Sequence, residues 1–172
     1  MARVFVGIGS NIKPEENVAK ALSLLAKETR IVAISTFYRT RPEGRPEQPD
    51  FCNGVVEIET DLAPAELCRV LRGIEDELNR KRTDDAYAPR TIDLDILVYD
   101  DLVIETDELT IPDPLISRRA FLAVPLFELS PDLALPGSGA AVRDLAKSFG
   151  EHGMQPLTEY TDMLKQRAAH GL

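Results

Sequence analysis

The chain reads as an α+β domain with a ferredoxin-like βαββαβ core: an antiparallel sheet backed by helices, with a C-terminal hairpin and helical extension. Three observations predict this. Strand-length apolar runs recur at Arg3 to Ile8, Ile31 to Tyr38, Phe51 to Thr60 and Ile92 to Tyr99. Two intervening segments, opening at Pro14 and Pro64, repeat apolar residues at helical spacing. No internal repeat or linker breaks the order, so residues 1–172 are expected to form a single domain.

In chain order, Arg3 to Ile8 ends in "GSN", a strand-end turn. Pro14, Glu15 and Glu16 form a helical first turn, and Val18, Ala21, Leu22 and Leu25 mark its apolar face. Ile31 to Tyr38 is read as one β-branched strand, followed by a Pro- and charge-rich loop from Arg39 to Asp50. After the strand Phe51 to Thr60, Leu67, Val70, Leu71, Ile74 and Leu78 line one face of a second helix. A polar loop, Arg80 to Pro89, leads to the fourth strand. A short hairpin is expected near Asp100-Asp101, then a helical piece from Ser117 and a helix ending at Gly150. Residues 141–172 are an extension with little pattern, and the part beyond Gly150 is expected to be partly disordered or to serve an oligomer contact.

A net charge of −9 argues against nucleic acid or an anionic membrane as the main partner, since both require a basic face. No apolar run approaches the roughly 18 residues of a membrane span. Cys52 and Cys68 have no metal-ligand spacing and suit a reducing cytoplasm. His152 and His170 both lie near the C-terminus, which argues against a histidine-dependent nucleophile. "GIGSN" lacks the third glycine of a dinucleotide fingerprint, and no P-loop follows it. The expected state is a cytoplasmic monomer or weak homodimer.

The chemistry concentrates in "TIDLDILVY". Ile92, Leu94, Ile96 and Val98 alternate with Asp93, Asp95, Leu97 and Tyr99, so the two aspartates share one strand face. Residues two apart on a strand are about 6.6–7 Å apart. A charged face on an antiparallel strand is most simply solvent-exposed. Aspartate is disfavoured in strands, however, and like charges on one face repel, so a shared cation is the alternative. Mg²⁺ takes one or two carboxylates and completes its shell with phosphate and water. Arg80, Arg82 and Arg90 precede the pair, and Arg118 and Arg119 follow it, an arrangement that suggests a polyphosphate site. Lys81 is better read as a helix-end charge. Phe51 and Asn53, two apart on the third strand, offer a ring for stacking and an amide for paired hydrogen bonds to a flat heterocycle.

"PRTIDLDILVYDD" resembles the signature of the 6-hydroxymethyl-7,8-dihydropterin pyrophosphokinase family of folate biosynthesis. So do "GIGSN", "STFYRT", "QPDFCNGVVEIET", "LAPAEL", "IEDELNRKR" and "RRAFLAVPLFELSPDLALP", in order, over about residues 1–140. The resemblance implies a transferase that passes pyrophosphate from ATP to the pterin hydroxymethyl group, with AMP leaving and two Mg²⁺ ions required. It implies Asp93 and Asp95 as metal ligands and, with Arg82 and Arg90, as the catalytic set. It implies Glu75, Arg80, Arg82, Arg90, Ile96, Thr110, Arg118 and Arg119 at the ATP, and an aromatic, Tyr87, in the preceding mobile loop. It implies Thr40, Arg41, Glu43, Phe51, Asn53, Asp93 and Phe121 at the pterin.

One position departs from the family: Asp113 stands where many members carry a histidine at the ATP phosphates. An anion there is expected to weaken nucleotide binding unless a cation intervenes, and Arg118 is the candidate to compensate. Two rival readings are a non-catalytic binder of pterin or nucleotide and a purely structural ferredoxin-like module. The first has no need of paired aspartates, and the second leaves the bracketing arginines unexplained.

Overall fold

The computed structural model describes all of residues 1–172. Strand β1 (Ala2–Ser10) lies between β4 (Phe51–Thr60) and β5 (Asp93–Tyr99) and is antiparallel to both. The other edge of β4 pairs with β2 (Arg30–Ile34) and β3 (Tyr38–Thr40). Helices α1 (Pro14–Glu28) and α2 (Pro64–Glu77) complete the expected βαββαβ unit.

Local chemistry explains the helix starts. Proline sits at the first turn of each, where its missing N–H has no partner to lose. Glu15 and Glu16 complement the α1 dipole, and Glu66 of α2 accepts from the Ala63 N–H at 2.9 Å. Val18, Leu22 and Leu25 of α1 and Leu67, Leu71 and Ile74 of α2 pack on Val4, Val6, Ile8, Val56 and Ile58 of the sheet. The opposite sheet face carries Phe5, Val55 and Leu97, covered by Ala123 and Leu126 of α3 (Ala120–Leu129) and Val142 of α4 (Val142–Ser148). Burial on both faces is why β1 is almost continuously apolar.

Four expectations are corrected. The segment Ile31 to Tyr38 is two strands. The Thr36 N–H turns to the Glu128 carboxylate and the Phe37 N–H to Thr161, so ladder pairing stops there. Alternation along β5 fails after Ile96. The register against β1 shifts between Phe5 and Val6, so Leu97 and Val98 both join the α3 side while Tyr99 returns to the α1–α2 side. Asp100-Asp101 is only the turn closing β5. The hairpin lies further on, between β6 (Ile104–Glu105) and β7 (Thr110–Ile111), its tip tied by Thr106 and Leu109. The helical piece from Ser117 is a 3₁₀ turn over Pro114–Ser117 followed by α3.

The C-terminal extension is ordered as well. Strand β8 (Gln155–Pro156) adds to β3, and α5 (Thr158–Ala169) buries Leu164 in the α1–α2 core. Tyr160 and Met163 pack against that core, so one face of α5 helps to close the molecule's interior. No helix is long and apolar enough to cross a membrane.

Candidate active site

Two cavities meet at the start of β5. One, of about 280 Å³, is lined by Gly9, Thr40, Arg41, Glu43, Phe51, Asn53, Tyr87, Arg90, Arg119 and Phe121. The other, of about 470 Å³, lies toward α2 and is lined by Cys68, Leu71, Arg72, Glu75, Arg80, Arg82, Ile96 and Thr110. Four residues line both: Asp93, Asp95, Asp113 and Leu115. A larger concavity of about 790 Å³ between α1 and α5 is lined by Glu15, Glu16, Glu77, Lys20 and Arg167, of which Lys20 pairs with Glu16, and it holds no metal-binding cluster.

The aromatic cavity is built on strand register. Phe51 and Asn53 share a face of β4, and β3 brings Thr40 opposite Phe51. Asn53 Nδ2 donates to Thr40 Oγ1 at 2.7 Å, in a buried pair that fixes the amide's orientation. The amide oxygen lies over Gly9, where a Cβ would stand 2.4 Å from it, so only glycine leaves the room. Across the cavity Arg119 pairs with Glu43 at 3.0 Å.

The acidic wall is asymmetric. Arg80 Nη1 donates to Asp93 Oδ1 at 2.8 Å and Arg90 Nη1 to Asp93 Oδ2 at 2.6 Å, so both Asp93 oxygens carry a guanidinium. Asp95 has no ion pair in the structure. Solvent reaches it through the cleft, yet the protein packed around it disfavours its charge. That burial, followed by the charges of Asp93, Asp113 and Glu75, lifts its carboxyl well above the ordinary range, and Arg80 offsets only part. The Asp113 carboxyl is raised as well, first by burial; its hydrogen bond from the Leu115 N–H, at 2.9 Å, opposes the shift, and the Asp93 charge adds to it. The β5 irregularity seats Asp113: the Leu97 carbonyl accepts from the Asp113 N–H at 2.9 Å.

No three His, Cys, Asp or Glu side chains converge tightly enough to hold an ion by themselves. An unpaired carboxylate beside a paired one fits a divalent ion that takes one or two protein carboxylates and fills its shell with phosphate and water.

Glu75 has several donors to satisfy it. It is 4% exposed, and its carboxylate accepts from Arg80, from Arg82 Nη2 at 3.0 Å and from the Leu94 N–H at 3.0 Å. Arg82 is shared with Asp76. Arg118 is the one residue of the predicted set that lines neither cavity. It is exposed at the end of the 3₁₀ turn, so the structure does not bring it to the site as a compensating cation.

Three contributors escape the sequence reading or look merely structural in it. Arg72 lines the α2 cavity and stands one helical turn from Cys68, and that spacing is the available signal. Leu115 separates the cavities, which nothing in its local sequence announces. Asn11, within the "GSN" turn, is 2% exposed and ties two loops together. Its Oδ1 accepts from the Arg90 N–H at 2.8 Å, and its Nδ2 donates to Gln48 Oε1 at 3.0 Å. Gln48 in turn donates to the Tyr87 carbonyl at 2.6 Å, and Arg45 pairs with Asp85.

The family model for 7,8-dihydro-6-hydroxymethylpterin-pyrophosphokinase matches residues 5–131. The chain belongs to this family. A pyrophosphokinase of Haemophilus influenzae, named 2-amino-4-hydroxy-6-hydroxymethyldihydropteridine pyrophosphokinase, is 40% identical over 157 residues, covering 90% of this chain and 97% of the relative. A protein of the same name from Pseudomonas aeruginosa is 42% identical over 137 residues, covering 78% and 84%. Among solved structures, the wild-type HPPK-DHPS of Plasmodium falciparum with pteroate superposes with a TM-score of 0.70 at 14% identity. It covers 88% of this chain, which spans only 44% of that longer protein, and at this identity the likeness speaks to the fold alone. The pyrophosphokinase match ends at Pro131, just after α3 and before α4, β8 and α5.

Proposed function

We propose that the two cavities hold the two substrates of the family's reaction, with the pterin alcohol in the aromatic cavity and ATP along α2. As a family member the chain is an ATP-dependent pyrophosphokinase of folate biosynthesis. The reaction transfers the β,γ-pyrophosphoryl group of ATP to the hydroxyl of 6-hydroxymethyl-7,8-dihydropterin. The bond from the α-phosphate to the β-phosphorus breaks, a new O–P bond forms, AMP leaves, and the hydroxyl proton is released.

The observation that supports this arrangement is the shared wall. Asp93, Asp95 and Asp113 line both cavities, so a group passing from one to the other passes them. Phe51 and Phe121 supply ring faces for a flat heterocycle, and the Asn53 amide, fixed by Thr40, supplies directional hydrogen bonds. Arg80, Arg82 and Arg90 bring positive charge to a site whose chemistry concentrates negative charge on phosphate oxygens. The loops around Arg45–Asp85 and Gln48–Tyr87 meet beside the aromatic cavity, and Tyr87 lines its wall.

Asp93 and Asp95 are the residues that would hold Mg²⁺. When bound, the metal supplies phosphate charge neutralisation and acidifies the attacking hydroxyl. The two-ion requirement is carried over from the family resemblance, and each ion would complete its shell with nucleotide oxygens and water.

The test is AMP formation from ATP, Mg²⁺ and the reduced pterin alcohol. Pterin-dependent AMP is expected. Asp93→Ala or Asp95→Ala should lower turnover by about 10³-fold or more, as loss of a metal or charge-stabilising group does, while the fold survives. Near-normal turnover in either variant would remove the metal assignment.

A further inference from the structure

We infer that Thr161, on α5, is a positioning residue for the pterin cavity and acts through the backbone of Phe37. The inference rests on the assignment of the pterin to the aromatic cavity. Phe37 lies at the break between β2 and β3, where neither backbone group has a ladder partner. The extension supplies both partners. The Phe37 N–H donates to Thr161 Oγ1 at 2.9 Å, and the Phe37 carbonyl accepts from the Leu157 N–H at 2.8 Å. Thr161 is 3% exposed, so no water stands in for the hydroxyl.

From Phe37 the constraint reaches the cavity in two ways. Strand β8 pairs with Tyr38 and Arg39, stopping one residue short of Thr40. The buried Phe37 ring, edge-on to Tyr160 at 6.3 Å, lies over Gly54, where a Cβ would stand 2.7 Å from it. Gly54 follows Asn53, whose amide is bonded to Thr40. Thr161 thus fixes Phe37, and Phe37 fixes both strands that carry the Asn53–Thr40 pair. None of this contact chain touches the α2 cavity. Thr161 also lies in a segment beyond the family match.

The test is steady-state kinetics of the full chain with each substrate varied. Thr161→Val keeps the shape and removes the acceptor. It should raise the pterin KM by about threefold to tenfold, the equivalent of one lost hydrogen bond, and leave the ATP KM within about twofold. Thr161→Ser restores the acceptor and should return the pterin KM toward that of the parent chain. An unchanged pterin KM would overturn the inference. So would an equal rise in both constants without rescue by serine, which would mark Thr161 as a fold-holding residue only. If Thr161→Val does not fold, Thr161→Ala removes the same acceptor without adding a methyl group and is read in the same way. It should raise the pterin KM with the same selectivity, and failure to do so overturns the inference equally. Absence of pterin-dependent AMP in the unaltered chain would instead count against the functional reading itself.

Discussion

Asp95 carries a cost that its neighbour avoids. Asp93 is neutralised by Arg80 and Arg90, whereas Asp95 faces Asp93, Asp113 and Glu75 with no guanidinium of its own. Its folded-state pKa is raised, so the folded chain holds that proton more tightly than the unfolded chain. Stability therefore falls as pH rises from the unfolded carboxyl value, about 3.9, through the raised folded value. Asp95→Asn should stabilise the metal-free protein at neutral pH, and the gain should shrink as pH falls toward 4. The gain is read as a Tm above that of the parent at neutral pH that converges on the parent value near pH 4. Thermal melts in EDTA across that pH range check it, and a variant less stable than its parent at neutral pH would contradict it. The same variant should lose activity, since the destabilising charge is the one a divalent ion would use.

At the scale of elements, β1 both joins β5 to β4 and anchors the active-site loops, through Asn11 just past its end. Asn11→Ala leaves the Arg90 N–H without its acceptor and Gln48 Oε1 without its donor, at a cost of about 1–3 kcal/mol. The Arg45–Asp85 pair is half-exposed and worth less than about 1 kcal/mol, so it does not replace that anchor. Tryptic cleavage after Lys81 or Arg82 should therefore become about tenfold faster in Asn11→Ala, because proteolysis follows the open population. Equal cleavage rates would mean that the loop is held from elsewhere. What the sequence made legible divides along the same line. The shared face of Asp93 and Asp95, the register of Phe51 with Asn53 and both proline-started helices follow from period and composition within one element. The shift at Leu97 does not, because it depends on how β5 meets Phe5 and Val6 of β1. The break at Thr36 and Phe37 depends on Glu128 and Thr161, which lie far along the chain. Arg118 and Arg119 are adjacent in sequence, and only packing decides that Arg119 lines a cavity and Arg118 does not.

For the whole molecule, the decisive question is how much of the interior the extension closes. The family match ends at Pro131, yet Leu157, Tyr160, Met163, Leu164 and Leu172 all pack into the core that α1 and α2 share with the sheet. Fully burying a large apolar side chain contributes about 1.5–3 kcal/mol. Leu164 is fully buried and the others partly, so their sum is about 5 kcal/mol or more before the Phe37 hydrogen bonds are counted. A domain of this size has about 5–15 kcal/mol of net stability, which makes the loss comparable with the whole. Removing residues 151–172 should therefore abolish or strongly broaden the cooperative thermal transition and expose Phe37, measurable by calorimetry and dye binding. A truncated chain that still melted sharply within a few degrees of the parent would mean that the sheet and first two helices close their own core. Such a chain would still lack the Thr161 acceptor, so its pterin KM should rise while its ATP KM stays near that of the parent.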